Sequence, residues 1–228
     1  MWGRTAFLAL AVLAGCTDMA PPPVVALPAT TTSSTINFAA VVARVEPVAE
    51  GLCRTQSKPG TKCDFVIYVD PDPKRPPNAF QTRDRSGRPV IGMTIALVNL
   101  MRNPDELAFV LGHESSHHIL GHIDLTIEQA MAGALVGGIL ATINGADDTA
   151  VEQAQKIGAN LGARRFSKDF ELQADSLGTV IAFRAGFDPL KGALFFSRLP
   201  DPGNAFLGTH PPNAQRIAVV QQTAAGLQ

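Results

Sequence analysis

Apolar positions along the chain change period twice, and the changes divide it into segments. A short run, Ala6 to Ala14, is continuously apolar, and a stretch without periodicity follows to about Thr35. From Phe38 the spacing Phe38, Val41, Val42, Val45, Val48 marks one face of a helix, predicted to end at Pro47 or slightly beyond. Phe65-Val66-Ile67-Tyr68-Val69 is β-branched and aromatic and predicts a buried strand, broken by Pro71, Pro73, Pro76 and Pro77. Two short strands, Asn78 to Thr82 and Pro89 to Met93, flank the turn residues Arg85-Ser86-Gly87-Arg88 and predict a β-hairpin. Helical patterns then follow: Thr94 to Met101, Pro104 to about Gly121, Leu125 to about Ile143, Thr149 to Phe166, Lys168 to Ala185, Pro189 to Leu199, and a last one from Pro211 or Pro212. Asn103-Pro104-Asp105-Glu106 opens one of these well, with Asn as cap, Pro at the first helical position and acids at the positive end. The pattern predicts an α+β fold, helix-rich with a small antiparallel sheet.

One helical pattern is anomalous. Ala130 to Ile143 is apolar with Gly133, Gly137 and Gly138 at helical spacing, and it is shorter than a hydrocarbon core. Two readings stand: a tightly packed helix with close neighbours, or a hairpin that covers a cleft, touches a membrane or mediates self-association.

At 228 residues and 46% hydrophobic, the chain can bury one sizeable core. Its net charge of -1 and the absence of basic runs exclude a counterion-release mode of nucleic-acid binding. Arg4 before the apolar run, and small residues after it, match a signal peptide over residues 1–15. Leu13-Ala14-Gly15-Cys16 resembles a bacterial lipobox. That resemblance implies cleavage before Cys16, a lipid on its thiol and a membrane anchor, with Thr17 favouring the outer membrane. Residues 16–35, rich in Pro, Thr and Ser, read as a tether, and residues 36–228 as the domain. Setting Cys16 aside leaves Cys53 and Cys63 flanking a turn-rich loop, and in an exported chain the expectation is a disulfide. A loop of this size gains roughly 2–3 kcal/mol from such a crosslink.

The chemistry concentrates in His113-Glu114-Ser115-Ser116-His117. Four residues apart on a helix, His113 and His117 share a face and can offer two imidazole nitrogens to one ion, with Glu114 placed to reach a water beside it. Imidazole ligands with an open position suit one Zn²⁺ per chain. A catalytic zinc takes three protein ligands. Glu171-Leu172-Gln173-Ala174-Asp175 supplies Glu171 as the third, with Asp175 one turn on to accept a hydrogen bond from a ligand imidazole. Ala174 between them is small enough for a close helix approach. His118 and His122 lie off the ligand face and read as surface or core residues.

His-Glu-x-x-His, followed some way on by Glu-x-x-Ala-Asp, resembles the family-48 zinc metallopeptidases, which include HtpX-type and prenyl-CAAX proteases. In layout it is most similar to their soluble periplasmic, BepA-like branch. Pro77-Asn78-Ala79-Phe80, Asn103 to Ala108, His122, Ser167, Thr209-His210-Pro211 and Arg216 add to the likeness. The resemblance implies a gluzincin-type domain in which His113, His117 and Glu171 hold zinc, Glu114 is the catalytic base and Asp175 supports a ligand. It also implies that His210 contacts substrate or oxyanion, or closes zinc's open position, and that Arg216 supports that region. The expected activity is endoproteolysis of unfolded or misfolded envelope proteins, with the hairpin's edge strand pairing to an extended peptide. Multiple membrane spans and helical repeats are not found in this sequence, so prenylated substrates and repeat-mediated recruitment are not carried over. The competing expectations are a non-catalytic zinc lipoprotein that chaperones or scaffolds an envelope assembly, and a zinc hydrolase of small non-peptide substrates.

Overall fold

A computed structural model of the chain describes residues 36–165, 167–201, 203 and 210–227. The signal peptide, Cys16 and the tether expected before residue 36 lie outside the described residues.

The first helix, α1 (Phe38–Gln56), is capped by Asn37, whose side chain accepts from the amide of Ala40. It continues through Pro47 where the sequence pattern predicted an end. Its buried face, Val41, Val45, Ala49, Leu52 and Cys53, keeps helical spacing past the proline, so packing outweighs the lost backbone bond. Cys53, near its end, is disulfide-bonded to Cys63.

Three strands follow: β1 (Val66–Asp70), β2 (Ala79–Arg83) and β3 (Pro89–Thr94), in the order β1-β3-β2. The β2–β3 pair is the expected antiparallel hairpin, with Gln81 opposite Ile91. β1 joins β3 in parallel, Ile67 opposite Ile91, so the sheet is mixed. The buried strand is β3, with Ile91 and Met93 fully enclosed, whereas β1 is a half-buried edge that exposes Tyr68. β2 is the other edge.

Helices α2 (Ile95–Leu100), α3 (Pro104–Ile119), α4 (His122–Ile143), α5 (Asp148–Arg165), α6 (Ser167–Arg184), α7 (Pro189–Ala193) and α8 (Asn213–Ala225) complete the chain, with a 3-10 turn at Phe196–Arg198. α3 is the axis. Leu107, Ala108, Phe109 and Leu111 are sealed between α1, the sheet, α6 and α7. Its start is fastened by the Asn103 cap and by Glu106, a buried carboxylate that accepts from the Arg102 amide and from both terminal nitrogens of Arg198.

Gly112 of α3 meets Gly178 of α6. A Cβ on Gly112 would stand 2.8 Å from the Gly178 carbonyl oxygen, so the helices cross almost backbone to backbone. That crossing, beside the fully buried Ala174, sets the faces carrying His113 and Asp175 against each other.

α4 and α5 form a different kind of pair. They run together as a hairpin, while most of α4 stays outside the core: Met131, Leu135 and Ile143 are 68%, 64% and 71% exposed. The close neighbour expected of a tightly packed helix is present on one face, where Gly133 and Gly137 meet α5, while the outer face of Ala130 to Ile143 has none among the described residues. α4 also begins earlier than the sequence pattern predicted and, at 22 residues, is long and apolar enough by length and composition to cross a membrane.

Candidate active site

His113 and His117 project from consecutive turns of α3, and their Nε2 atoms lie 3.1 Å apart. Glu171 of α6 places Oε2 3.6 Å from His113 Nε2 and Oε1 3.3 Å from His117 Nε2. Taking one ligand atom from each residue gives a triangle with no edge above 4.8 Å, the imidazole–imidazole edge being 3.1 Å. Tetrahedral zinc with bonds of about 2.0–2.1 Å needs ligand separations of roughly 3.3–3.4 Å, so the residues present fit the ion.

The hydrogen-bond partners behind the imidazoles support the same assignment. His113 Nδ1 lies 2.9 Å from Asp175 Oδ1, and its N–H donates there, which leaves the lone pair on Nε2. Arg216 of α8 holds Asp175 in turn, donating from Nε and Nη2 at 2.7 Å each, with its guanidinium over the Phe196 ring. Behind His117 a second chain forms. His122 Nε2–H donates to Gln173 Oε1 at 3.2 Å, so His122 Nδ1 is free to accept from His117 Nδ1 at 2.9 Å. Both ligand imidazoles therefore turn unprotonated Nε2 atoms towards one point. His122 also stacks on Phe170, and burial together with the neighbouring His117 pushes its pKa down to about 4, so it is neutral as this chain requires.

Charges around the triangle are strongly coupled. Burial alone would raise Glu171, yet in the metal-free site, with the imidazoles protonated, hydrogen bonds from His117 and His210 and the charges of His113 and His117 hold it far below the usual carboxylate range. Burial would also raise Asp175, but hydrogen bonds from Arg216 and His113 keep it low. His113 would be lowered by burial, and the Asp175 hydrogen bond and charge outweigh that and raise it. Burial pushes Glu114 above the carboxylate range, against the downward pull of the two imidazoles. Among the described residues no side chain holds the Glu114 carboxyl by a hydrogen bond. It lines a cleft of about 360 Å³ with His117 and Glu171, walled by Gln81 of β2, Ile127 of α4 and Phe170 of α6. A second groove, about 470 Å³, shares Gln81 and His117 and runs along β2 to the disulfide-bridged loop.

The structure thus brings together His113, Glu114, His117, Glu171, Asp175, His210 and Arg216. His210, largely exposed, places Nδ1 3.1 Å from Glu171 Oε2. Arg216 is buried behind the triangle: it reaches Asp175 and lies 3.7 Å from Glu171 Oε2, and it does not line the cleft. His118 is a core residue, donating from Nε2 to the Lys62 carbonyl at 2.7 Å and tying the disulfide loop to α3. Sequence reasoning missed the contact of His122 with His117. The signal was Gly121, whose φ of 71° ends α3 and turns the next helix so that His122 folds back onto the ligand.

Residues 39–224 match the profile of peptidase family M48, and the chain belongs to that family. It is 28% identical over 166 residues to the mitochondrial metalloendopeptidase OMA1 of Saccharomyces cerevisiae, covering 67% of this chain and 45% of that protein. It is 28% identical over 142 residues to the beta-barrel assembly-enhancing protease of Escherichia coli K12, and 30% to that of Yersinia pestis. Each of those matches covers 57% of this chain and 29% of the relative. The chain spans less than half the length of the curated relatives it matches.

Proposed function

We propose that this member of peptidase family M48 is a zinc metalloendopeptidase in which His113, His117 and Glu171 hold the ion and Glu114 is the general base. The observation that carries the reading is the triangle of ligand atoms, with both Nδ1 atoms tied back, beside a half-buried carboxyl that no described side chain holds. Bound there, zinc would acidify a water and polarise the scissile carbonyl. Glu114 takes the proton from the attacking water and hands it to the leaving amine, and the burial that raises its pKa makes it a better proton acceptor than a free carboxylate. Asp175 and Arg216 act through His113, and Gln173 and His122 through His117, holding tautomer and ring orientation. His210 stands at the exposed side of Glu171, where it can donate to a developing oxyanion or to substrate.

The free edge of β2 lies along the joined grooves, so an extended peptide can pair with it across Gln81 and present its backbone to Glu114. Backbone pairing favours unfolded segments over a strict sequence. This supports misfolded or stalled envelope proteins as substrates, as does the name of the Escherichia coli relative. The lipobox-like Leu13 to Cys16 and the Cys53–Cys63 disulfide support an exported lipoprotein at the outer membrane.

Cleavage of casein by the wild-type chain and by Glu114→Gln tests the activity. The variant is expected to bind zinc with unchanged stoichiometry and to lose roughly 10²–10⁴-fold or more in rate. Undiminished cleavage would remove Glu114 from its role. Mass spectrometry of the mature chain, showing or failing to show acyl groups on Cys16, tests the anchor.

A further inference from the structure

The α4–α5 hairpin is packed inside out. Where two helices meet in water, large aliphatic side chains normally form the seam and polar ones face outward. Here the seam is glycine and alanine: a Cβ on Gly133 would fall 2.1 Å from the Gly158 carbonyl oxygen, and one on Gly137 would fall 2.3 Å from that of Ala154. The large aliphatics point away. Ile127, Met131, Leu135 and Ile139 on one side pass through Ile143 to Val136 and Leu140 on the other. At 3.6 residues per turn they cover an arc of roughly 220°. Small residues inside and bulky apolar ones outside is the arrangement helices adopt in lipid, where apolar side chains gain nothing by leaving the solvent and close backbone packing supplies the association.

From this we infer that the hairpin docks on a lipid bilayer, with the outer arc of α4 in the acyl region. The width of the arc favours this occupant over a protein face, which would cover one stripe of about 100° and leave the rest in water. The apolar surface also continues past α4: Val136 and Leu140 line a groove of about 740 Å³ with Ile157 and Leu161 of α5.

Charge placement sets the orientation. Glu128, exposed, lies on the same arc at its N-terminal end, so that end stays at headgroup level. From there to Asp147 the chain carries no charged residue, while the tip has Asp147 and Asp148 and the far face of α5 has Glu152, Gln153 and Lys156. Burying the tip acids would be costly, so the hairpin lies along the interface with α5's polar face towards headgroups and water. The proposed anchor is compatible: residues 17–35 can span at most roughly 70 Å between Cys16 and the domain, which leaves the hairpin within reach of the same membrane. Ile127 belongs both to the arc and to the cleft wall, so docking would place the active cleft at the membrane surface. The docking itself does not rest on the proteolytic reading.

The chain's only tryptophan is Trp2, so Ile139→Trp, read against the parent chain, reports on the hairpin. Met131→Trp, also exposed, is a second reporter, and Gln153→Trp on the polar face of α5 is the control. The probe is a vesicle of phosphatidylethanolamine and phosphatidylglycerol, with and without acyl-chain bromination. We expect the emission of Ile139→Trp and Met131→Trp to shift to the blue and to be quenched by brominated chains, with Gln153→Trp unquenched. Vesicles that leave both reporters unchanged overturn the inference. So do reporters already shielded without lipid in a chain that sediments as a dimer, which would make a second copy the occupant. Equal quenching of all three positions would overturn the interfacial orientation and indicate full insertion.

Discussion

Gly112 meets Gly178 where α3 crosses α6, and Gly133 meets Gly158 where α4 runs along α5. In both places the absence of Cβ lets two backbones touch. Around the first contact Leu107, Phe109, Leu111 and Ile181 are sealed in the core, and the buried polar groups Asp175, His113 and Arg216 satisfy one another. Around the second, aliphatic side chains of the same kind face outward. The glycines fix only how close two helices come. What the helices do there depends on what fills the space beyond them: a packed core that can hold charged groups in register in one case, an unpartnered surface in the other. The crossing in the core makes a rigid site, and the one at the surface makes an appendage.

Perturbing each side of this comparison should give unequal effects. Arg216→Met removes the guanidinium that covers the Phe196 ring and leaves Asp175 buried without its partner. It is expected to destabilise the fold by about 3–5 kcal/mol in denaturant titration. Zinc affinity should fall about 10–100-fold in the same variant, since the imidazole it steadies loses its support. Gly178→Val puts a side chain 2.8 Å from the His113 amide nitrogen, and thermal unfolding should show a loss of roughly 2–3 kcal/mol. Gly133→Val clashes harder on paper, yet the hairpin can splay outward. Its global loss is expected to stay below about 1 kcal/mol, and an equal loss in the two variants would erase the distinction between them.

The mildest test is pH, applied to metal-free protein. Asp175 is lowered in the fold, so its contribution is complete above its unfolded value of about 3.9 and disappears as pH falls through the lower folded one. His113 is raised, so its contribution is complete below about 6.5 and disappears as pH rises through the higher folded value. Metal-free stability should therefore peak between about pH 4 and 6.5. A hairpin variant such as Gly133→Val should leave the shape of that profile intact, and Arg216→Met should change it.

Much of the architecture could be read before folding was considered. The helix starting at Pro104 announces itself through its Asn103 cap, and the β2–β3 hairpin through its turn residues. Local rules govern both. β1 misleads because an unbroken apolar run looks the same for a central strand and for an edge shielded on one side only. Pro47 misleads because its local cost is offset by contacts that α1 makes with residues far along the chain. The exposure of α4 was equally hidden: an apolar, glycine-rich helix has the same composition whether it is wrapped by protein or left open.

By itself the sequence determined that two imidazoles and a carboxyl share consecutive turns of one helix, and that two further acids sit one turn apart on another. Periodicity decides such matters within a few residues. Only the tertiary structure decided that Glu171 faces the imidazole pair while Asp175 passes behind it to Arg216, that His122 returns to His117, and that α4 keeps its aliphatic arc uncovered. Those outcomes depend on how helices distant in the chain settle against each other, through many weak contacts that no local window contains.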